Sequence, residues 1–380
     1  MAEARHTGKN FSQQKAWLQL ANMSWLGSTI RAGLLKEFGS PLRAFTASKG
    51  ELLKVKGWDF VKIDRFMAQA ARTEPICLPE LLEQKQTRMI CFDEDEYPPL
   101  LREIPDSPPV LFIKGQISNP TAPAIAIVGA RNGTQMGYDL ARDFAFRLAE
   151  AGFTIVSGLA LGIDTHAHRG AIEANATTIA VLANGPDVIY PRGNRRIRDA
   201  ILKNGAIISE YPPGVIARPW HFPIRNRIIS GMCLATLVVE ASARSGSLIT
   251  ARFAGEQNRE IFALPGISGA ATSEGTLSLL EDGALMVTDP EEIIEYYAAL
   301  LPDKKNLEKI DDFDDLTDEE KKLLAALASE PVSIDVLLES GWPRERLFSL
   351  LLQLEMRDYL VKLQGNIYQT RNKASLKGRL

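Results

Sequence analysis

From residue 124 onward, short stretches of unbroken apolar sequence recur at regular intervals. They are AIAIV (124–128), FTIVS (153–157), TTIAVLA (177–183), AIISE (206–210), LATLVVEA (234–241) and EIFALP (260–265). Helical patterns separate them, one near 138–151 and another beginning near Asp164. A strand with one wet face alternates apolar and polar residues, whereas a strand covered on both faces reads as a continuous run. Six continuous runs divided by helices therefore predict a parallel sheet with helices on both sides. The fold class expected is α/β, a doubly wound, Rossmann-like parallel sheet extended by extra strands.

The flanks follow other rhythms. Residues 11–82 read as short helices. In LGSTIRAGLLKEFGSPLRAF the apolar positions have helical spacing, Gly39-Ser40-Pro41 stops one helix, and Pro41 opens the next. ELLKVKGW carries Gly57 near its end, a helix C-cap or hairpin turn. The pattern suits a small helical domain of the SAM-like or helix-hairpin-helix type. The central domain is placed at 83–300, and its proline-rich start carries VLFIKG, expected as an edge strand. An acidic linker (301–317) leads to residues 318–370, three helices and a β-hairpin turning near Gly365-Asn366, the order of a winged helix.

Composition narrows the setting. A chain of 380 residues, 45% apolar and 24% charged, suits two or three ordinary globular domains. No stretch approaches the roughly 18 apolar residues of a membrane span. The start MAEARHTGKNFSQQ lacks the apolar core of a secretory signal. Cys77, Cys91 and Cys233 show no CxxC spacing. A reduced, cytoplasmic setting is expected. Net charge is only −3, but residues 192–227 hold eight basic residues against two acidic, and 303–320 hold nine acidic against three basic. A basic stripe set against an acidic connector is compatible with a polyanionic ligand.

The chemistry is sought outside the carboxyl ends of the strands, where open parallel sheets bind ligands. Two helix entrances stand out there. FPIRNRIISG (222–231) places Arg225 and Arg227 around Asn226, and ARSGSLITA (243–251) carries Arg244 and Ser245-Gly246-Ser247. Backbone N–H groups at a helix start, joined by guanidinium groups, hold phosphate. Trp220, His221 and Phe222 precede the first entrance, and aromatic faces beside a basic groove suit unpaired bases. The usual enzyme signatures are missing. The loop after the first run is GARNGT rather than GxGxxG, no acid closes the second run to hold a ribose, and neither GxxxxGK[ST] nor GxSxG occurs. Asp164 reads as a helix cap, so His166 and His168, two apart, point in different directions and do not form a metal site. No catalytic group, metal or cofactor is expected.

These loops resemble the DprA/Smf family of DNA-processing proteins. The resemblance runs through IVGAR (127–131), SGLALGIDTHAH (157–168), DVIYP (187–191), ISEYPPG (208–214), FPIRNRIISG, VVEASARSGSLITA (238–251) and FALPG (262–266). Asn184 and Pro186 depart from it, at positions where glycine is commoner. The resemblance implies a non-enzymatic recombination mediator, a homodimer that binds and protects single-stranded DNA and loads RecA recombinase in natural transformation and homologous recombination. It assigns the DNA path to Gly129, Arg131, Ser157, Gly158, Phe222, Arg225, Asn226, Arg227, Arg244, Ser245, Gly246 and Ser247. Asp164 and Glu240 are expected to be structural, and Glu210 tolerable beside DNA only if paired with arginine. Two alternatives stay open. One is a nucleoside monophosphate phosphoribohydrolase like the related cytokinin-activating enzymes, whose PGGxGTxxE signature is absent from EASARSGSLITA. The other is DNA binding shared by the winged helix.

Overall fold

Peptide groups inside an apolar run have no water to bond, so the runs satisfy one another. In the computed structural model all six form strands of one nine-stranded sheet. They are β3 (Ala124–Val128), β4 (Thr154–Ser157), β5 (Thr178–Leu182), β6 (Ala206–Ser209), β7 (Ala235–Val238) and β8 (Glu260–Ala263). With β1 (Arg88–Cys91), β2 (Val110–Gly115) and β9 (Leu285–Met286), the order is β1-β2-β6-β5-β4-β3-β7-β8-β9. The strands from β6 to β9 are mutually parallel, while β2 runs antiparallel to both β6 and β1. VLFIKG thus forms a strand but does not lie at the edge: β1, which the proline-rich sequence concealed, pairs outside it.

The structure describes residues 13–301, apart from 24, 72–77, 118 and 267–269, and residues 317–370, apart from 328–330, 357–359 and 364–366. They fall into two compact units divided between Leu301 and Pro302.

Helices cover both faces of the sheet, as the unbroken runs require. The helices of the sheet region are α1 (Gln135–Glu150), α2 (Ile163–Glu173), α3 (Arg195–Asn204), α4 (His221–Gly231), α5 (Ser247–Glu256), α6 (Glu274–Glu281) and α7 (Pro290–Tyr296). Ile125 and Ile127 of β3 pack with Phe144, Leu148 and Ile163 on one side. Ala126 and Val128, pointing the other way, pack with Ile228, Ile229 and Ala251. Beside the sheet lie short helices over residues 28–70. The stop at Gly39 and the start at Pro41 fall where the sequence indicates, whereas the helix before Gly57 spans only Lys49–Leu52 and is capped by Leu53, leaving Gly57 in a turn. Gly39 adopts φ 73° after Ser28–Phe38, and Ser40 caps Pro41–Phe45. Leu52 and Phe66 of this region, together with Trp17 just before it, share a core with Cys91, Val110 and Phe112 of β1 and β2.

The second unit is a winged helix. α8 (Asp318–Ala326), α9 (Ile334–Glu339) and α10 (Arg344–Met356) accompany a sheet ordered β10 (Val332–Ser333), β12 (Ile367–Thr370), β11 (Leu360–Leu363). Its core is leucine-rich, with Leu323, Leu347 and Leu354 fully buried. The expected hairpin turn at Gly365-Asn366 and nearly all of the acidic linker lie outside the described residues.

Candidate nucleic-acid interface

β3 lies between β4 and β7. The chain leaves β3 toward β4, β5 and β6, then returns to β7 on the opposite side. Loops leaving β3 and β7 therefore diverge, and such a switch point opens a crevice. A cleft of about 680 Å³ lies there, lined by the Gly129–Asn132 loop, by Phe222, Arg225 and Asn226 of α4, and by Ser245–Ser247 at the start of α5.

The first loop is held from both sides. Ala130 N–H donates to the Glu240 carbonyl at 2.8 Å, and Ile163 N–H donates to the Ala130 carbonyl at 3.2 Å. The Glu240 carboxylate accepts from the Thr134 amide and hydroxyl at 2.8 and 2.6 Å, so it orders this loop. An added Cβ at Gly129 would fall 2.7 Å from Ile163 Cγ1, so only glycine lets α2 pack this closely. The fixed loop leaves Arg131 exposed, with its guanidinium carbon 5.4 Å from the centre of the Phe222 ring. On that ring's other contact, Tyr190 lies 5.6 Å away at a tilt of 50° and is 45% exposed. An arginine and two aromatic rings thus make one wall. Tyr190 lines the same cleft but was not among the residues expected there. Its signal was present in DVIYP, but nothing local shows that residue 190 meets residue 222.

The helix containing FPIRNR begins at His221, so Arg225 and Arg227 sit inside it rather than ahead of it. This corrects the reading of the segment as a phosphate-binding entrance at those residues, because their amides already belong to the helix. Arg225 is 5% exposed. Its Nη1 donates to the Gly158 carbonyl at 2.8 Å and to the Val181 carbonyl, bridging the ends of β4 and β5. Burial lowers its pKa to about 10, against the opposing pull of Asp164. Gly158 makes this crossing possible, since a Cβ there would lie 2.5 Å from Arg225 Nη1. Asp164 is the second residue of α2 and not its cap, which is Gly162. Its carboxylate instead accepts from the Gly158 and Ala160 amides at 3.1 and 3.2 Å. Burial pushes its pKa up, while Arg225 and these amides pull it down.

Arg227 faces away from the cleft lining. Its Nη2 donates to both Glu210 oxygens at 2.8 and 2.9 Å and its Nε to Asp106 at 3.1 Å. Glu210 is thus paired with arginine. Asn226 Nδ2 donates to the Gly246 carbonyl at 3.2 Å, tying α4 to the loop before α5. There Gly246 is the N-cap, and the Ser245 and Ser247 hydroxyls meet at 2.7 Å.

Of the twelve residues assigned to a DNA path, the cleft lining brings together Gly129, Arg131, Phe222, Arg225, Asn226, Ser245, Gly246 and Ser247. Gly158 lines an adjoining hollow of about 60 Å³, beside Arg131, Tyr190 and Phe222. The other three stand apart. Ser157 is buried and donates to the Ile127 carbonyl at 2.7 Å, Arg227 is clamped, and Arg244 is exposed beyond the cleft lining. The basic stripe divides likewise: Arg198, Arg225 and Arg227 are buried, while Arg192, Arg195, Arg196 and Arg218 are exposed and, among the described residues, form no ion pair. His166 stacks on Tyr138 at 4.6 Å, and His168 is buried against the Thr178 hydroxyl at 2.8 Å. Among the described residues no cluster of His, Cys, Asp or Glu could hold a metal ion, and no helix is long and apolar enough to cross a membrane.

Comparison with known proteins places the fold in a family. A family model described as DNA recombination-mediator protein A matches residues 88–298, and one described as the DprA winged helix domain matches 312–366. Protein Smf of Synechocystis sp. is 33% identical over 95% of this chain and 99% of its own length. Protein Smf of Escherichia coli is 41% identical over 76% of this chain and 79% of its own. The X-ray structure of DNA processing protein A from Streptococcus pneumoniae superposes with a TM-score of 0.64 at 34% identity, covering 72% of this chain and 95% of that one. DNA processing protein A from Helicobacter pylori gives 0.52 at 29%, covering 57% and 98%. With a family match across more than half of its length and a relative aligned along nearly all of it, this chain belongs to the DprA/Smf family of DNA recombination mediators.

Proposed function

We propose that the cleft between the β3 and β7 loops binds single-stranded DNA without cleaving it. The carrying observation is the wall of Arg131, Phe222 and Tyr190 facing the Ser245–Ser247 helix start across one groove. Arginine and helix amides suit the phosphates. Aromatic faces suit bases that are not already paired. The structure of the Helicobacter pylori relative was described for its single-stranded DNA binding mode, which supports the same reading here. In this reading the protein is a cytoplasmic homodimer that shields incoming strands and passes them to RecA recombinase during transformation and recombination.

Titration of a short oligo-dT against a matched duplex, with mass measurement of the complex, tests both strand preference and dimer state. Single strands should bind more tightly, and raising salt should weaken binding with a log–log slope of about −0.7 per phosphate contacted. Arg131→Ala should weaken all sequences alike and reduce that slope by about one contact. Unchanged affinity in this variant would remove the cleft from the DNA path. Release of free base from AMP by the purified protein would instead favour a phosphoribohydrolase. Stimulation of RecA filament growth on single strands tests the loading step.

A further inference from the structure

The groove read here as a DNA path has an acid in its floor. Asp164 lines it with 7% of its surface exposed, an unusual place for a carboxylate in a site for a polyanion. Oδ2 of Asp164 accepts from the Gly158 and Ala160 amides, and among the described residues its other oxygen has no hydrogen-bond partner. Arg225 shares the floor. Nη1 of Arg225 is taken up by the Gly158 and Val181 carbonyls and its Nε is sealed from the cleft, which leaves Nη2, without a hydrogen-bond partner among the described residues, as the donor. One peptide joins the two side chains, because the Gly158 amide donates to Asp164 and the Gly158 carbonyl accepts from Arg225. An acceptor and a donor therefore sit together on rigid backbone, with opposite charges that largely cancel, below the exposed cation of Arg131.

A phosphate pressed onto this floor would find the Arg225 charge already offset by Asp164, and would give up its water for no net attraction. The edge of a base fits better: it is flat and neutral, and it offers N–H groups and lone pairs side by side. Phosphates then belong at the rim with Arg131 and the Ser245–Ser247 amides, and a base points inward.

We propose that Asp164 and Arg225 form a base-reading subsite. The free oxygen of Asp164 accepts a hydrogen bond from an exocyclic amino group, and Arg225 donates to the neighbouring ring nitrogen or carbonyl. The subsite rests on the single-strand reading and adds a preference to it. Cytosine and adenine present an amino group beside a ring acceptor, whereas thymine has no amino group and can offer the carboxylate only its ring N3–H, flanked on both sides by carbonyl oxygens that the carboxylate repels.

The test uses full-length protein at fixed salt with homo-oligomers of about ten nucleotides, a length within the usual single-strand site size. Oligodeoxycytidine is compared by fluorescence anisotropy with the same strand built on 2-pyrimidinone, which lacks only the amino group. Losing a hydrogen bond to a charged acceptor should weaken binding about tenfold. Asp164→Asn should shrink the ratio of dC to dT affinity about fivefold or more, since the amide turns an N–H toward the amino group. Equal binding of the two strands by the wild type overturns the subsite, and so does an Asp164→Asn variant that loses affinity for dC and dT alike. The first comparison needs no variant and stands even if Asp164→Asn fails to fold. Failure of every oligomer to bind at low salt overturns the single-strand reading, and the subsite with it.

Discussion

Arg227 and Arg131 both belong to motifs that resemble a DNA path, yet they should fail in opposite ways when removed. The Arg227 side chain is 6% exposed and is fixed by Glu210, Asp106 and the Ile224 carbonyl. In Arg227→Met, Asp106 keeps its 2.9 Å pair with Arg31, so Glu210 is the charge left stranded. Breaking a buried pair by removing one partner costs about 3–5 kcal/mol. The Glu210 side chain is 20% exposed, and the water it retains places this case at the lower end, about 3 kcal/mol. For a unit of this size that is a fall in Tm of about 6 °C, measurable by circular dichroism or scanning calorimetry. Adding Glu210→Gln should restore part of the loss, because the uncompensated charge is then gone. Oligonucleotide affinity of the folded Arg227→Met variant should stay within about twofold of wild type, with the salt slope unchanged. A wild-type Tm together with a slope lower by about 0.7 would show that Arg227 contacts phosphate, and would refute the assignment.

Further outcomes follow from the same geometry. Gly158→Ala places a Cβ 2.5 Å from Arg225 Nη1, and the guanidinium cannot move without breaking its two carbonyl bonds. Denaturant titration should show a loss of about 2–4 kcal/mol, and an unchanged midpoint would mean that Arg225 relaxes freely. Phe222→Ala and Tyr190→Ala should each weaken single strands by about 1–3 kcal/mol with Tm nearly unchanged, and should spare abasic strands; equal losses on abasic strands would rule out stacking. His168 is held neutral by burial, which lowers its pKa from 6.5 to about 3. Its stabilising contribution is complete above pH 6.5 and is lost as pH falls toward 3, because the unfolded chain takes up the proton first. His168→Gln should therefore flatten the acid limb of a stability–pH curve, and a limb of wild-type steepness would place the titrating group elsewhere.

The fold was legible wherever burial alone sets the pattern. Runs such as AIAIV and TTIAVLA announce strands covered on both faces, and Ser40-Pro41 announces a helix start, because each of these depends on neighbours a few residues away. β1 was hidden: its four residues, RMIC, are too few to establish a period, and its partner lies beyond a proline-rich segment. The loops of the site could be named for the same local reason, since glycine, serine and arginine after a buried strand have few other uses.

How those loops are arranged was settled at a longer range. Periodicity shows that β3 and β7 are buried but not that they are neighbours, and that adjacency opens the cleft. A guanidinium reads the same in sequence whether it meets solvent or a carboxylate. Arg131 remains exposed because its loop is pinned at Glu240 and Ile163. Arg225 is drawn under by carbonyls 67 and 44 residues away, and Arg227 by an acid 121 residues away. The sequence by itself determined which elements form and which chemistry sits in their loops. Only the tertiary structure decided which arginines face a ligand, because desolvation of a charge depends on partners that the chain brings together after folding.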